Sequence, residues 1–168
     1  MSFRSGVIAG LLGTLAARTL LTRALTLKFR RDVSSLNDGD HGPLLAAYAD
    51  DAVLHFNEGP HRWSGEHRGK AEIERFLRNF TGAGIRGQIR EVWIAGAPWA
   101  LRIAVRFDDR ATGPDGVEIY ANRTFLLVRT RWGRIVEQED FYEDTGRILA
   151  LDARLRELGV QPARPARG

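Results

Sequence analysis

The spacing of apolar residues shifts along this chain from a mostly helical period to an alternating one at Ile85, and returns to a helical one after Tyr142. Gly6 to Leu27 is mostly apolar and rich in helix formers, which predicts an N-terminal helix. Lys28 to Asp38 continues that helix or forms a second one, and Asn37-Asp38-Gly39 is a turn signal. Pro43 suits a first helical turn, so Leu44 to Tyr48 is expected as a short helix. Ala52 to Asn57 is expected as a short strand, and His61 to Arg68 as an irregular loop around Trp63. Ile73, Phe76, Leu77 and Phe80 recur at helical spacing and predict a helix from Gly69 to Phe80. From Ile85 the period falls to two. Strands are expected over 85–95, 99–107, 117–130 and 134–142, separated by Gly96-Ala97-Pro98, Thr112 to Gly116 and Trp132-Gly133. Ile148, Leu149, Leu151, Leu155 and Leu158 form the apolar side of a closing helix, Thr145 to Leu158, and a disordered tail is expected over 159–168.

Helices followed by a meander of long strands predict an α+β fold, in which a curved antiparallel sheet curls over the early helices and encloses a central pocket. The expected organisation is an N-terminal basic apolar helix over 1–35, one α+β domain over 36–158, and the tail. In the last strand, alternation places Val136, Gln138, Asp140 and Tyr142 on one face, opposite Ile135, Glu137, Glu139 and Phe141. A single acid between an amide and a phenol, with an apolar residue deeper in, is the lining expected of a small-molecule pocket.

Composition narrows the classes. There is no cysteine, so disulfides and thiolate metal sites are excluded. The net charge of +4 is unevenly placed. Residues 1–31 hold Arg4, Arg18, Arg23, Lys28, Arg30, Arg31 and no acid, so the rest of the chain is at −2. A basic stretch confined to one end argues against nucleic-acid binding by the folded face. The uncharged run from Ser5 to Ala17 is shorter than the ~20 residues a bilayer span needs. It reads as a helix packed on the domain or a partner, as a signal peptide, or as a basic helix on a membrane surface. A cytoplasmic protein is expected, with the membrane-associated and exported alternatives resting on residues 1–31. His55, His61 and His67 are evenly spaced but span a strand and a Pro-containing loop, so no metal site is expected. No glycine pattern cradles phosphates, and no cofactor is expected.

The order of elements resembles the SnoaL-like branch of the nuclear transport factor 2-like superfamily, over roughly Leu36 to Leu158. The segments that carry it are YADDAVLHF (48–56), WSGEHRGKAEIERFL (63–77) and RWGRIVEQEDFYEDT (131–145). The resemblance implies a cystatin-like or ketosteroid isomerase-like cone, a small, mostly apolar ligand, and a homodimer. It leaves function open, because the relatives include cyclases, isomerases, hydrolases and non-catalytic binders. Some polar spacings resemble limonene epoxide hydrolase. Asp140-Phe141-Tyr142 matches its final-strand aspartate ahead of two aromatics. Arg106-Phe107-Asp108 matches its Arg-x-Asp, and His55 and Asn57 stand where it has a tyrosine and an asparagine. That resemblance implies two carboxyls and a guanidinium acting on a water and an epoxide.

The alternation of Leu101, Ile103, Val105 and Phe107 pulls the other way. If that face turns inward, Arg106 and Asp108 point outward, and both faces cannot line one pocket. The candidate catalytic residues are therefore Asp140, Tyr142, His55, Asn57, Arg106 and Asp108. The candidate ligand-binding residues are Trp63, Asn122, Gln138 and Val136. The expected function is acid/base chemistry without a cofactor (hydration or isomerisation, with epoxide hydrolysis as the variant the spacing suggests). The alternative is a non-catalytic ligand-binding or dimeric interaction module.

Overall fold

A computed structural model describes residues 3–164, with side chains from Thr19 onward. The apolar and basic N-terminal stretches form one unbroken helix, α1, Phe3–Asn37. At 1.5 Å per residue it is about 52 Å long. The chain continues as α2 (Gly42–Ala47), β1 (Tyr48–Phe56), β2 (Gly65–Arg68), α3 (Gly69–Gly82), β3 (Arg86–Ala97), β4 (Ala100–Thr112), β5 (Glu118–Arg131), β6 (Arg134–Tyr142) and α4 (Thr145–Glu157). Pro43 sits in the first turn of α2, where its missing N–H costs nothing. The six strands form one sheet in the order β2-β1-β6-β5-β4-β3.

Strands β3 to β6 are the expected antiparallel meander. The turn between β5 and β6 has positive φ at both central residues, Trp132 (51°) and Gly133 (77°), which matches the right-handed twist of a hairpin. Such an angle is costly for a tryptophan. Its backbone N–H donates to the Trp99 carbonyl at 2.8 Å, and the two rings pack at 6.5 Å across neighbouring hairpins.

Several sequence expectations are corrected. Strand β1 begins at Tyr48 rather than Ala52 and runs parallel to β6, so the sheet is not antiparallel throughout. Asp50 and Asp51 sit exposed on an irregularity of that strand. The loop expected around Trp63 contains β2, paired with β1. Strand β4 runs five residues past Phe107, pairing Asp108 to Thr112 with β5. Beyond Gly159, Val160 packs against the core and the Ala163 N–H donates to Asn79 Oδ1 at 2.6 Å. Residues 165–168 of the expected tail lie outside the described residues.

The core lies between the concave face of the sheet, α3 and α4. Tyr48, Leu54, Trp63, Ile73, Ile148 and Leu151 are its largest fully buried apolar side chains. A buried ion pair, Arg62 Nε to Asp152 Oδ1 at 2.5 Å, ties the loop after β1 to α4, and Arg62 also donates to the Val160 carbonyl. Among the described residues no helix is long and apolar enough to cross a membrane.

Candidate functional site

The last turns of α1 close the concave face of the sheet. Phe29, Val33, Leu36 and Asn37 cover a cavity of about 70 Å³ floored by β4, β5 and β6 and bounded by Phe76 and Phe80 of α3. Asn37 fixes the helix end there: its Nδ2 donates to the Gly87 carbonyl at 3.0 Å, and the Gly87 N–H donates to its Oδ1 at 2.9 Å.

Alternation supplies the polar side chains. On β6, Gln138, Asp140 and Tyr142 all line the cavity. On β5 the cross-strand partner of Tyr142 is Thr124, and that of Asp140 is Leu126. On β4, Leu101, Val105 and Phe107 point inward, and the same face continues to Asp109. Two carboxyl groups therefore share one mostly apolar cavity. Asp109 is 4% exposed and Asp140 is 9% exposed. Gly87 lets the β3 backbone come close to the first of them, since a Cβ there would stand 3.1 Å from both Asp109 Oδ1 and Phe107 Cδ1.

Each acid has one neutral donor. Thr124 Oγ1 donates to Asp109 Oδ2. Gln138 Nε2 donates to Asp140 Oδ1 at 2.8 Å, and the Tyr48 hydroxyl donates to Gln138 Oε1 at 2.5 Å, which orients the amide. No arginine or lysine lines the cavity. Burial accordingly pushes the Asp109 carboxyl up to about 7; the Thr124 bond opposes this and the charge of Asp108 adds to it. Burial likewise pushes Asp140 up to about 7, opposed by Gln138 and reinforced by Asp109. Burial, then the charges of Asp109 and Asp140, hold the Tyr142 phenol well above its ordinary range, so it stays a donor.

The remaining candidates lie elsewhere. His55 is on the outer face of β1, 3.3 Å from Glu66 and 3.9 Å from Glu137. Asn57 follows β1 and meets His61 Nε2 at 3.3 Å, away from the cavity. Arg106 and Asp108 point out of the sheet, paired with Glu91 at 3.5 Å and Arg90 at 2.6 Å. The inward face of β4 is its apolar one, and this corrects the Arg-x-Asp expectation.

Val136 is displaced by a bulge in β6, where Arg129 pairs with Glu137 but Thr130 pairs with Ile135. The extra residue breaks the alternation. Ile135 takes the inward place, and Val136 borders an outer hollow with Val53 and His55. Trp63 is fully buried core and does not line the cavity. Asn122 is a structural amide whose Nδ2 donates to the Asp144 carbonyl at 2.8 Å.

Asp109, Tyr48 and Thr124 are the site residues that the sequence reading missed. Carrying the alternation of β4 two residues further would have placed Asp109 with Val105 and Phe107. Among the described residues no group of His, Asp and Glu is placed to hold a metal ion.

A family model described as a SnoaL-like domain matches residues 29–138. Among solved structures, an NTF2-like protein of unknown function from Burkholderia pseudomallei is 25% identical, over 76% of this chain and 95% of that one, with a TM-score of 0.64. TerC, co-crystallised with polyporic acid, is 21% identical over 76% of this chain and 97% of its own, with a TM-score of 0.63. A putative polyketide cyclase from Xanthomonas campestris is 19% identical over 75% and 95%, with a TM-score of 0.54. No curated protein matches the sequence.

Proposed function

We propose, from the premise that this chain belongs to the SnoaL-like domain family, that its cavity binds a small, uncharged, mostly apolar carbonyl compound and moves a proton on it. The reaction class is isomerisation or hydration. The observation that carries this reading is the pair of buried carboxyls, Asp109 and Asp140, both lifted to about 7. A general acid or base works best when its pKa lies near the working pH, and burial is how a carboxyl gets there.

The pair divides the work. With Asp109 ionised, its charge favours the proton on Asp140. Asp109 then removes a proton from the carbon next to the carbonyl, and the C–H electrons pass into an enol. Asp140 gives its proton to the carbonyl oxygen, and Tyr142 donates a hydrogen bond to the same oxygen. Return of a proton from Asp109 at another carbon completes an isomerisation, and Asp140 regains its proton from the enol. The chemistry fits relatives described as putative polyketide cyclases. Epoxide hydrolysis through Arg106 and Asp108 is not proposed, because both side chains lie outside the sheet.

A panel of apolar enones, ketones and epoxides, assayed for isomerisation and hydration, tests the reading. Asp109→Asn and Asp140→Asn should each lower turnover by about a hundredfold, the lower end of the usual general acid/base contribution. Full activity in either variant removes that residue from the mechanism.

The outer face of the sheet favours a second, compatible reading as a dimeric module. Trp93 and Phe125 pack at 5.9 Å there, and both are exposed together with Leu127 and Phe141. Arginines (102, 106, 129) and glutamates (91, 137, 139) share that face, as a self-complementary two-fold contact requires. Sedimentation should give twice the chain mass, falling to the monomer in Leu127→Arg. A monomeric native protein would dismiss the dimer.

A further inference from the structure

The cavity around Asp109 and Asp140 is too small for a whole substrate. It measures about 70 Å³, whereas small-molecule sites occupy roughly 300–1,000 Å³. A second cavity, of about 420 Å³, lies beside it and is lined by Leu25, Val92, Ile94, Leu101, Ile103 and Val128 among others.

The register shows that the two follow one another along the same face of the sheet. Inward residues form rows across β4, β5 and β6. Phe107, Thr124 and Tyr142 make one row; Val105, Leu126 and Asp140 the next; Ile103, Val128 and Gln138 the third. The small cavity takes the first row, Leu126 and Asp140 of the second, and Gln138 of the third, and the larger one continues from Val105 through Ile103 and Val128 to Leu101, Thr130 and Ile135. Two-residue steps along a strand put neighbouring rows about 7 Å apart. Phe29 of α1 lines both cavities, with its ring edge-on to Phe107 at 6.1 Å. The charged groups on the wall of the larger cavity are engaged: Lys28 with Asp32 at 2.5 Å, and Arg134 with the Ala46 carbonyl at 3.1 Å.

The geometry points to one continuous site for an elongated, uncharged amphiphile, with its carbonyl end between Asp109 and Asp140 and its apolar chain running past Phe29 along Val105, Ile103 and Leu101. This assignment rests on the proposed carbonyl chemistry for the head, while the chain-binding groove stands on its own lining. Phe29, which lines both spaces, stands at their junction. An unbranched acyl or isoprenoid ketone has the required shape and lacks the charge that an apolar groove would penalise.

The test is displacement of the neutral fluorescent probe N-phenyl-1-naphthylamine from the full chain by unbranched methyl ketones of increasing length, from hexanone to hexadecanone. Affinity should rise about fourfold per added methylene, the equivalent of the usual burial of one CH₂, until the groove is filled. Thr26 is half-buried on α1 and borders the groove without belonging to the core. Thr26→Trp should weaken the longest ketones at least tenfold and leave the shortest unchanged, and Val92→Trp from the opposite wall should do the same. The gain per methylene should persist in Asp140→Asn even where turnover is lost, which separates failure of the groove from failure of the chemistry. Affinity independent of chain length, or long ketones bound equally by both filled variants, would overturn the proposal.

Discussion

Between pH 3.8 and about 7 the native protein should lose stability relative to its Asp109→Asn and Asp140→Asn variants, by on the order of 4 kcal/mol for each acid. The folded pKa of each carboxyl is raised above its unfolded value, so between those pH values the folded state holds the proton and the unfolded state has released it. Unfolding then releases protons, and a rise in pH favours it. The stabilisation of the neutral form is complete below the unfolded value and is lost as the pH climbs through the folded one. Above that point each wild-type carboxylate is ionised in an apolar cavity. Asparagine carries no such charge, and its side-chain oxygen still accepts from Thr124 or Gln138. Urea denaturation followed across this range should show curves that converge in acid and separate towards alkaline pH, with the variants more stable. Parallel curves would mean that neither acid is desolvated.

Trp63→Ala should cost about 3–5 kcal/mol, the usual range for emptying a large aromatic site in a core. Trp63 has no exposed surface and is the largest fully buried side chain. The Arg62 guanidinium lies 5.6 Å from its ring centre, and its carbonyl bonds with His67 Nε2 at 2.9 Å. The indole N–H has no hydrogen-bond partner, so Trp63→Phe should lose far less than Trp63→Ala. Thermal or urea denaturation of the two variants checks both statements. A ligand-stacking tryptophan at a cavity mouth would give the opposite pattern, with stability kept and binding lost.

The parts of this structure that alternation controls could be read from the sequence; the parts set by exceptions to it could not. Gln138, Asp140 and Tyr142 share a face because β6 is regular beyond its bulge, and their cavity follows from that. Val136 falls on the other side of the bulge, so one extra residue moves it from the pocket to the outer hollow. Asp109 escaped notice because Asp108-Asp109 resembles a strand end. Acids are depleted in strands, and a buried one is an exception that composition does not announce. Tyr48 follows Pro43 and two leucines in what reads as a helix, yet it opens β1 and points at Gln138. The spacing likened to limonene epoxide hydrolase led to the outer face at His55, Arg106 and Asp108 and away from the cavity at Asn57, and the inward residue on β4 is the neighbour, Asp109. The family could be recognised because its segments fix the sheet, and the sheet admits more than one set of inward polar residues.

The proposed chemistry needs two carboxyls in one cavity that each take up and release a proton near neutrality. Carbon-13 NMR titration of the aspartate side chains, assigned through Asp109→Asn and Asp140→Asn, tests this most directly. Two carboxyl resonances should have midpoints near 7, and each should shift when the other acid is removed. Midpoints near the ordinary aspartate value of 3.8 for both would rule out acid/base catalysis by this pair.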